Sequence, residues 1–190
     1  MTLTAVLIAA YLLGSIPMSY IVVLRVTGRD IRTMGSGNPG TMNVYETVGW
    51  FAALVVAVGD ISKGAAAVAL AYLAGLSDGG AVLAAMAAVI GHDWSIFLWL
   101  EGGNGTAAVI GGMLALMPAA TLIAAGVAIG LGYTIGSRRI GGIIGIALVP
   151  VLGILLGEPH TQLYGAIALM SFTIVKIIRF EGFSPARPDR

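Results

Sequence analysis

The stretch "MTLTAVLIAAYLLGSIPMSYIVVLR", residues 1–25, holds no charged side chain before Arg25. Its apolar run, residues 3–25, is long enough for a membrane-spanning helix, which needs about 20 residues. Met1 to Thr4 carry no positive charge, and the run continues past any small-residue cleavage site. It reads as a retained membrane helix rather than a signal peptide. The remaining chain agrees. Of 190 residues 58% are hydrophobic and 10% charged, and the mean hydropathy is +0.96. A soluble domain carries about 25% charged residues. This chain cannot cover its surface with polar groups, so its solvent is lipid. It has no cysteine, which excludes disulfides, thiol nucleophiles and thiolate metal sites.

Further apolar segments lie at 49–74, 81–99, 106–117, 119–135, 142–157 and 161–180. Pro118 divides a longer run into two helices, because it lacks an N–H and clashes with the preceding turn. The expected fold is therefore all-α, a single transmembrane domain over residues 1–190 with about seven spans, some short. Arg25, Arg29 and Arg32 follow the first segment, Arg138 and Arg139 the fifth, and Lys176, Arg179, Arg187 and Arg190 the end of the seventh. The opposite connections, "GLSDGG" and "GEPHT", hold no Lys or Arg. The positive-inside rule puts the N-terminus outside and the C-terminus in the cytoplasm. A five-span arrangement with two segments only dipping in keeps that orientation. Gly126/Gly130, Gly132/Gly136 and Gly141/Gly145 have the small-xxx-small spacing that lets helices approach closely in lipid. No internal repeat or low-complexity segment is apparent, and the final "FSPARPDR" reads as a frayed tail.

Four polar stretches fall on the cytoplasmic side. "RDIRTMGSGNPGTMNVYETVG", residues 29–49, can present backbone N–H groups and hydroxyls to an anion, or serve as an ordinary turn-rich connection. In "GDISKG", Asp60 and Lys63 stand at i, i+3 and share a helix face, as a structural ion pair or as ligands. In "GHDWSIFLWLEGGNG", His92 is either a general base or a hydrogen-bonding strut. Trp94 and Trp99 read as interfacial anchors. The turn "EGGNGTAAV", residues 101–109, has the form of a phosphate cradle, with Asn104 where a cation would serve. "GSRRIGG" is a basic turn suited to phosphate or to anionic headgroups. The sequence holds no P-loop, HExxH or GxSxG, no metal-spaced His/Asp/Glu cluster and no basic aromatic patch for nucleic acid.

"LLGSIPMSY", "DIRTMGSGNPGTMNV", "GDISKG" and "GHDWSIFLWLEGGNG" resemble, in order, the motifs of the bacterial PlsY-type acyl-phosphate:glycerol-3-phosphate acyltransferases. The resemblance implies a seven-helix enzyme of the bacterial cell membrane with its active site on the cytoplasmic face. Such an enzyme moves a fatty acyl group from acyl phosphate to the 1-hydroxyl of glycerol 3-phosphate, giving lysophosphatidic acid. It implies no metal or other cofactor, and membrane lipid but no nucleic acid as surroundings. Carried over, Ser36, Gly37, Asn38, Gly40, Thr41 and Asn43 belong to a first phosphate loop. His92 supports a second motif, whose turn is Gly102, Gly103, Asn104 and Gly105. Ser137 and Arg138 lie near a third, and His92, Ser36 and Asn43 are the catalytic candidates. The chain departs from the family pattern where that pattern has GGKG, here "GGNG", and at Thr41-Met42, Glu46, Ile140 to Gly142 and the final "SFTIVKIIRFEG". These positions are mostly those expected to hold glycerol 3-phosphate. The alternatives are thus a paralogue that binds acyl phosphate or a phospholipid without turnover or with another acceptor, and a small transporter.

Overall fold

The structure, a computed structural model, describes residues 1–176 and 178–179, without the side chains of Arg138 and Arg139. The tail "FSPARPDR", with Arg187 and Arg190, lies outside the described residues. The helices are α1 Leu3–Ser15, α2 Met18–Thr27, α3 Thr41–Thr47, α4 Trp50–Leu73, α5 Asp78–Asp93, α6 Thr106–Leu116, α7 Pro118–Ile135, α8 Arg138–Leu156 and α9 His160–Lys176. Short 3-10 turns occupy Ile31–Thr33 and Ile96–Leu98. The 24 residues of α4 rise about 36 Å, enough for a hydrocarbon core of about 30 Å. Four stretches are long and apolar enough to span: Leu3–Thr27, Trp50–Leu73, Asp78–Leu98 and Pro118–Ile135. Thr106–Leu116 and Ile140–Leu156 are shorter apolar helices.

One expectation about boundaries needs correction. The 3–25 run is not one helix: the chain leaves helical geometry at Ile16, whose ψ is 114°, and restarts at Met18. Pro17 offers no N–H and its ring clashes with the preceding turn. Within the 81–99 apolar segment the helix ends at Asp93, where His92 and Asp93 are expected to end it, and Trp94 to Glu101 form a loop with one 3-10 turn. Pro118 does open a helix, at a first-turn position where its missing N–H costs nothing.

The interior is made of small side chains. Ala67, Ala71, Ala84, Ala88, Ala108, Ala120 and Ala166 are fully buried, while Leu73, Ile129 and Leu155 are at least 75% exposed. A bundle in lipid gains nothing by hiding leucine, so it hides alanine and glycine, which let backbones touch. A Cβ on Gly91 would strike the Tyr11 carbonyl and one on Gly14 the Ala88 carbonyl, so α1 and α5 cross in backbone contact. Gly64 against Ala108, and Gly111 against Ile61, do the same for α4 and α6. Gly141 and Gly145 seat α8 against Ala128 and Gly132 of α7. Gly126 and Gly130 have nothing within 4 Å, and Gly136 ends α7 with a φ of 71°. Only part of the small-xxx-small spacing therefore marks a helix contact.

Candidate active site

The break between α1 and α2 leaves the Ile16 carbonyl without a helical partner. Lys63 on α4 donates to it at 3.1 Å and pairs with Asp60 at 2.8 Å. Asp60 Oδ1 also faces His92 Nδ1 of α5 at 3.5 Å. All three side chains are at most 7% exposed. An ionised pair at such a site is tolerated only because each charge has a partner.

The glycine turn is built directly on the end of α5. Gly102 N–H donates to the Asp93 carbonyl and Gly103 N–H to the His92 carbonyl, each at 3.1 Å. A Cβ on Gly103 would meet His92 Nε2 and stand 3.2 Å from the Pro39 carbonyl. Gly105 has a φ of 68°, and a Cβ there would press on Asp93 Oδ1, so a larger residue is excluded by conformation as well as space. Preceding the turn, Trp99 and Leu100 hold φ of 56° and 67°, rare for residues with side chains. Trp99 is 89% exposed, suited to an interface. Trp94 is not a free anchor. It packs edge-on against Phe172, and the Lys176 ammonium sits 5.3 Å from its ring centre.

Lys176, in the last turn of α9, donates to the Gly103 carbonyl and lies 3.4 Å from Asp93 Oδ1. The loop after α2 reaches the same place from the other side. Arg32 pairs with Asp30 at 2.7 Å and with Glu101 at 2.9 Å. Arg32 holds the Asp30 carboxyl below its usual range, and Asp30 in turn raises Arg32. Asn43 organises the loop interior: its amide donates to the Met34, Asn38 and Ile31 carbonyls and its oxygen accepts from Ser36 N–H. Ser19 on α2 clasps the Pro39 carbonyl at 2.7 Å, and Ser95 reaches the Ser15 carbonyl at 2.6 Å.

These contacts surround a half-open cleft with about 10 Å³ of free interior space, room for about one water, lined by Ile16 and Pro17, Asp60 and Lys63, His92, Gly102 and Gly103 among others. Met18 and Ser19, the first turn of α2, also face it, and a helix N-terminus favours an anion. Of the residues singled out in the sequence, Asp60, Lys63, His92, Gly102 and Gly103 line it. Asn104 and Gly105 continue the turn. The first loop contributes Pro39 to the wall, with Gly37, Asn38, Gly40 and Thr41 half-buried beside it and Ser36 exposed. Ser137 caps α8 by accepting from Ile140 N–H and does not line the pocket; the Arg138 side chain lies outside the described residues. Glu46 is on the exposed side of α3 and is not a wall residue. Among the described residues no group of three or more His, Asp or Glu could hold a metal ion.

Sequence reading missed four contributors: Ser15, Ser19, Ser95 and Lys176. The serines sit in apolar runs where a hydroxyl reads as neutral. Lys176 is 73 residues from the turn it touches.

The fold and pocket define a polytopic helical membrane protein whose polar site lies where its helix ends and loops converge. The chain belongs to the glycerol-3-phosphate acyltransferase family, whose model matches residues 4–182. It is 41% identical over 191 aligned positions to glycerol-3-phosphate acyltransferase 3 of Dehalococcoides mccartyi (strain CBDB1), covering 91% of this chain and 88% of that one. With glycerol-3-phosphate acyltransferase 2 of Moorella thermoacetica it shares 44% identity, covering 80% and 78%. Among solved structures, PlsY, an integral membrane glycerol 3-phosphate acyltransferase, in its glycerol 3-phosphate form, superposes with a TM-score of 0.85. The two are 25% identical, with 99% of this chain and 96% of that chain covered.

Proposed function

We propose that this chain transfers a fatty acyl group from acyl phosphate to glycerol 3-phosphate, releasing lysophosphatidic acid and inorganic phosphate. The observation that carries the reading is the convergence, at one pocket, of the broken α1–α2 helix, the Asp60–Lys63 pair, His92 and the glycine turn. The cleft's free interior is only about 10 Å³, so phosphate and glycerol groups sit at its mouth against the polar wall, with the acyl chain left to the apolar bundle. Backbone N–H groups and helix N-termini stabilise charge as the carbonyl is attacked and phosphate leaves. Binding donor and acceptor side by side supplies the remaining acceleration through proximity.

In this reading His92 acts with Asp60 and Lys63 as a rigid back wall. Asn43 shapes the first loop rather than meeting substrate, because its amide is spent on that loop's carbonyls. Ser36, Asn38 and Thr41, on the loop that gives Pro39 to the wall, are assigned to hold phosphate as it enters. One helical domain crosses a bacterial plasma membrane seven times, with the N-terminus outside and the pocket at the cytoplasmic face. The contact of Lys176 with Gly103 supports that arrangement, since it puts the end of α9 beside the loop that follows α5.

The test is a phase-partition assay of purified, detergent-solubilised protein with palmitoyl phosphate and labelled glycerol 3-phosphate. Labelled lysophosphatidic acid is expected. No lipid product, from protein whose thermal melt shows it folded, would sink the reading.

A further inference from the structure

A turn shaped for a phosphate is most useful with a cation, and "GGNG" has none of its own. The structure brings one from elsewhere. Lys176 is 8% exposed, and its ammonium contacts the Gly103 carbonyl, Asp93 and the Trp94 ring. Burying an ammonium is costly, and a lysine at a helix end would otherwise extend into water. Here it turns inward to the one peptide group that links Gly103, a pocket-wall residue, to Asn104.

We propose that Lys176 supplies the positive charge of the glycine turn, as a positioning residue acting through the Gly103–Asn104 peptide on the phosphate of the substrate. The inference rests on the proposed function. All peptides described are trans, so the N–H of that peptide points away from the carbonyl that Lys176 holds. A cation on the carbonyl oxygen polarises the amide and strengthens its N–H as a donor. It also fixes the turn against Asp93 and adds charge to a poorly solvated site. Asp93 moderates that charge. Arg32 is already engaged by Asp30 and Glu101, and Lys63 by Asp60. Among the described residues Lys176, itself paired with Asp93, is the cation that holds a glycine carbonyl of the turn.

The test is charge relocation. Lys176→Gln keeps an N–H donor of similar reach and deletes the charge. Its kcat/KM for glycerol 3-phosphate, at saturating palmitoyl phosphate, is expected to fall about 100-fold, the lower end for loss of an electrostatic group at a developing charge. Adding Asn104→Lys to Lys176→Gln returns the charge from within the turn and is expected to recover at least about tenfold, a factor worth roughly 1.4 kcal/mol. Lys176→Arg, which keeps the charge, should lose less than about tenfold. A merely structural lysine would not be rescued from position 104. Wild-type activity in folded Lys176→Gln would overturn the proposal, as would no gain in the double variant when its melt matches the wild type. If the wild type makes no lipid product, the functional reading has failed. The proposal about Lys176 is then read separately, from thermal stabilisation by glycerol 3-phosphate: a shift that Lys176→Gln abolishes and the double variant restores supports it, and a shift unaffected by Lys176→Gln refutes it.

Discussion

Gly103→Ala adds one methyl group at the most crowded point of the pocket wall. That carbon would sit against His92 Nε2 inside van der Waals distance and 3.2 Å from the Pro39 carbonyl. Ordinary contact for such atoms is about 3.5 Å or more, so something must move by about 1 Å. The His92 ring is held from behind by Asp60, and Pro39 by Ser19, which leaves the turn as the part that yields. Overpacking of this kind costs about 1–3 kcal/mol, or roughly 2–4 °C of melting temperature per kcal/mol for a chain of this size. The chemistry should suffer more, because a displacement of about 1 Å can cost about 100-fold in rate. Expected, then, are a modest drop in the thermal melt and about a 100-fold loss of kcat/KM in the phase-partition assay. Gly126→Ala is the control. Its methyl meets nothing within 4 Å, and it should leave activity intact and stability equal or slightly higher. A Gly103→Ala protein as active as the wild type would refute the packing account of the turn.

Asp60→Asn should destabilise the protein by about 3–5 kcal/mol, because it leaves Lys63 buried without its counter-charge; Asp60→Leu with Lys63→Met should regain much of the melting temperature and none of the activity. Asn43→Ala strands the Ser36 N–H and takes the second donor from three loop carbonyls, and limited proteolysis should then cut within residues 29–40 while the bundle stays protected. Acid should spare the Arg32 clamp at first. A carboxyl depressed by its partner, as Asp30 is, contributes stability that is fully present above its unfolded pKa and lost progressively as pH falls from there through the lower folded value. Proteolysis of that loop should therefore rise gradually as the pH drops into and below the usual carboxylate range, and Asp30→Asn should weaken that pH dependence, leaving the Glu101 pairing.

How much could be read from residues alone depended on how local each cause was. The runs of leucine, valine and isoleucine located most helices, since lipid-facing surface is written continuously along the chain. Pro118 announced its break because it stands inside an apolar run, 106–135, that is too long for a single span. Pro17, the same residue type, went unread because the run from 3 to 25 already has the length of a single span and hydropathy averages over a single missing N–H. The end of α5 at Asp93 was legible in the polar "GHD", although the apolar "SIFLWL" follows it. In the pocket, Asp60, Lys63, His92 and the glycine turn were legible from composition and spacing, being polar or glycine-rich where lipid demands otherwise. The serine clasps and Lys176 were not. Their meaning lies in a partner far away in sequence, and nothing near residue 176 distinguishes a lysine that faces headgroups from one that turns inward.

The contact between Lys176 and Gly103 also sets an order of construction. Among the described residues, every other charged side chain around the pocket is made before α6 emerges from the ribosome, whereas this one waits for the last helix. A nascent chain that has inserted α1 to α5 already holds the back wall and the turn, but not the ammonium that steadies it. On the role proposed for Lys176 the site is finished at its end, and a truncated or stalled product would keep Lys63 in its wall but lack the cation on its glycine turn.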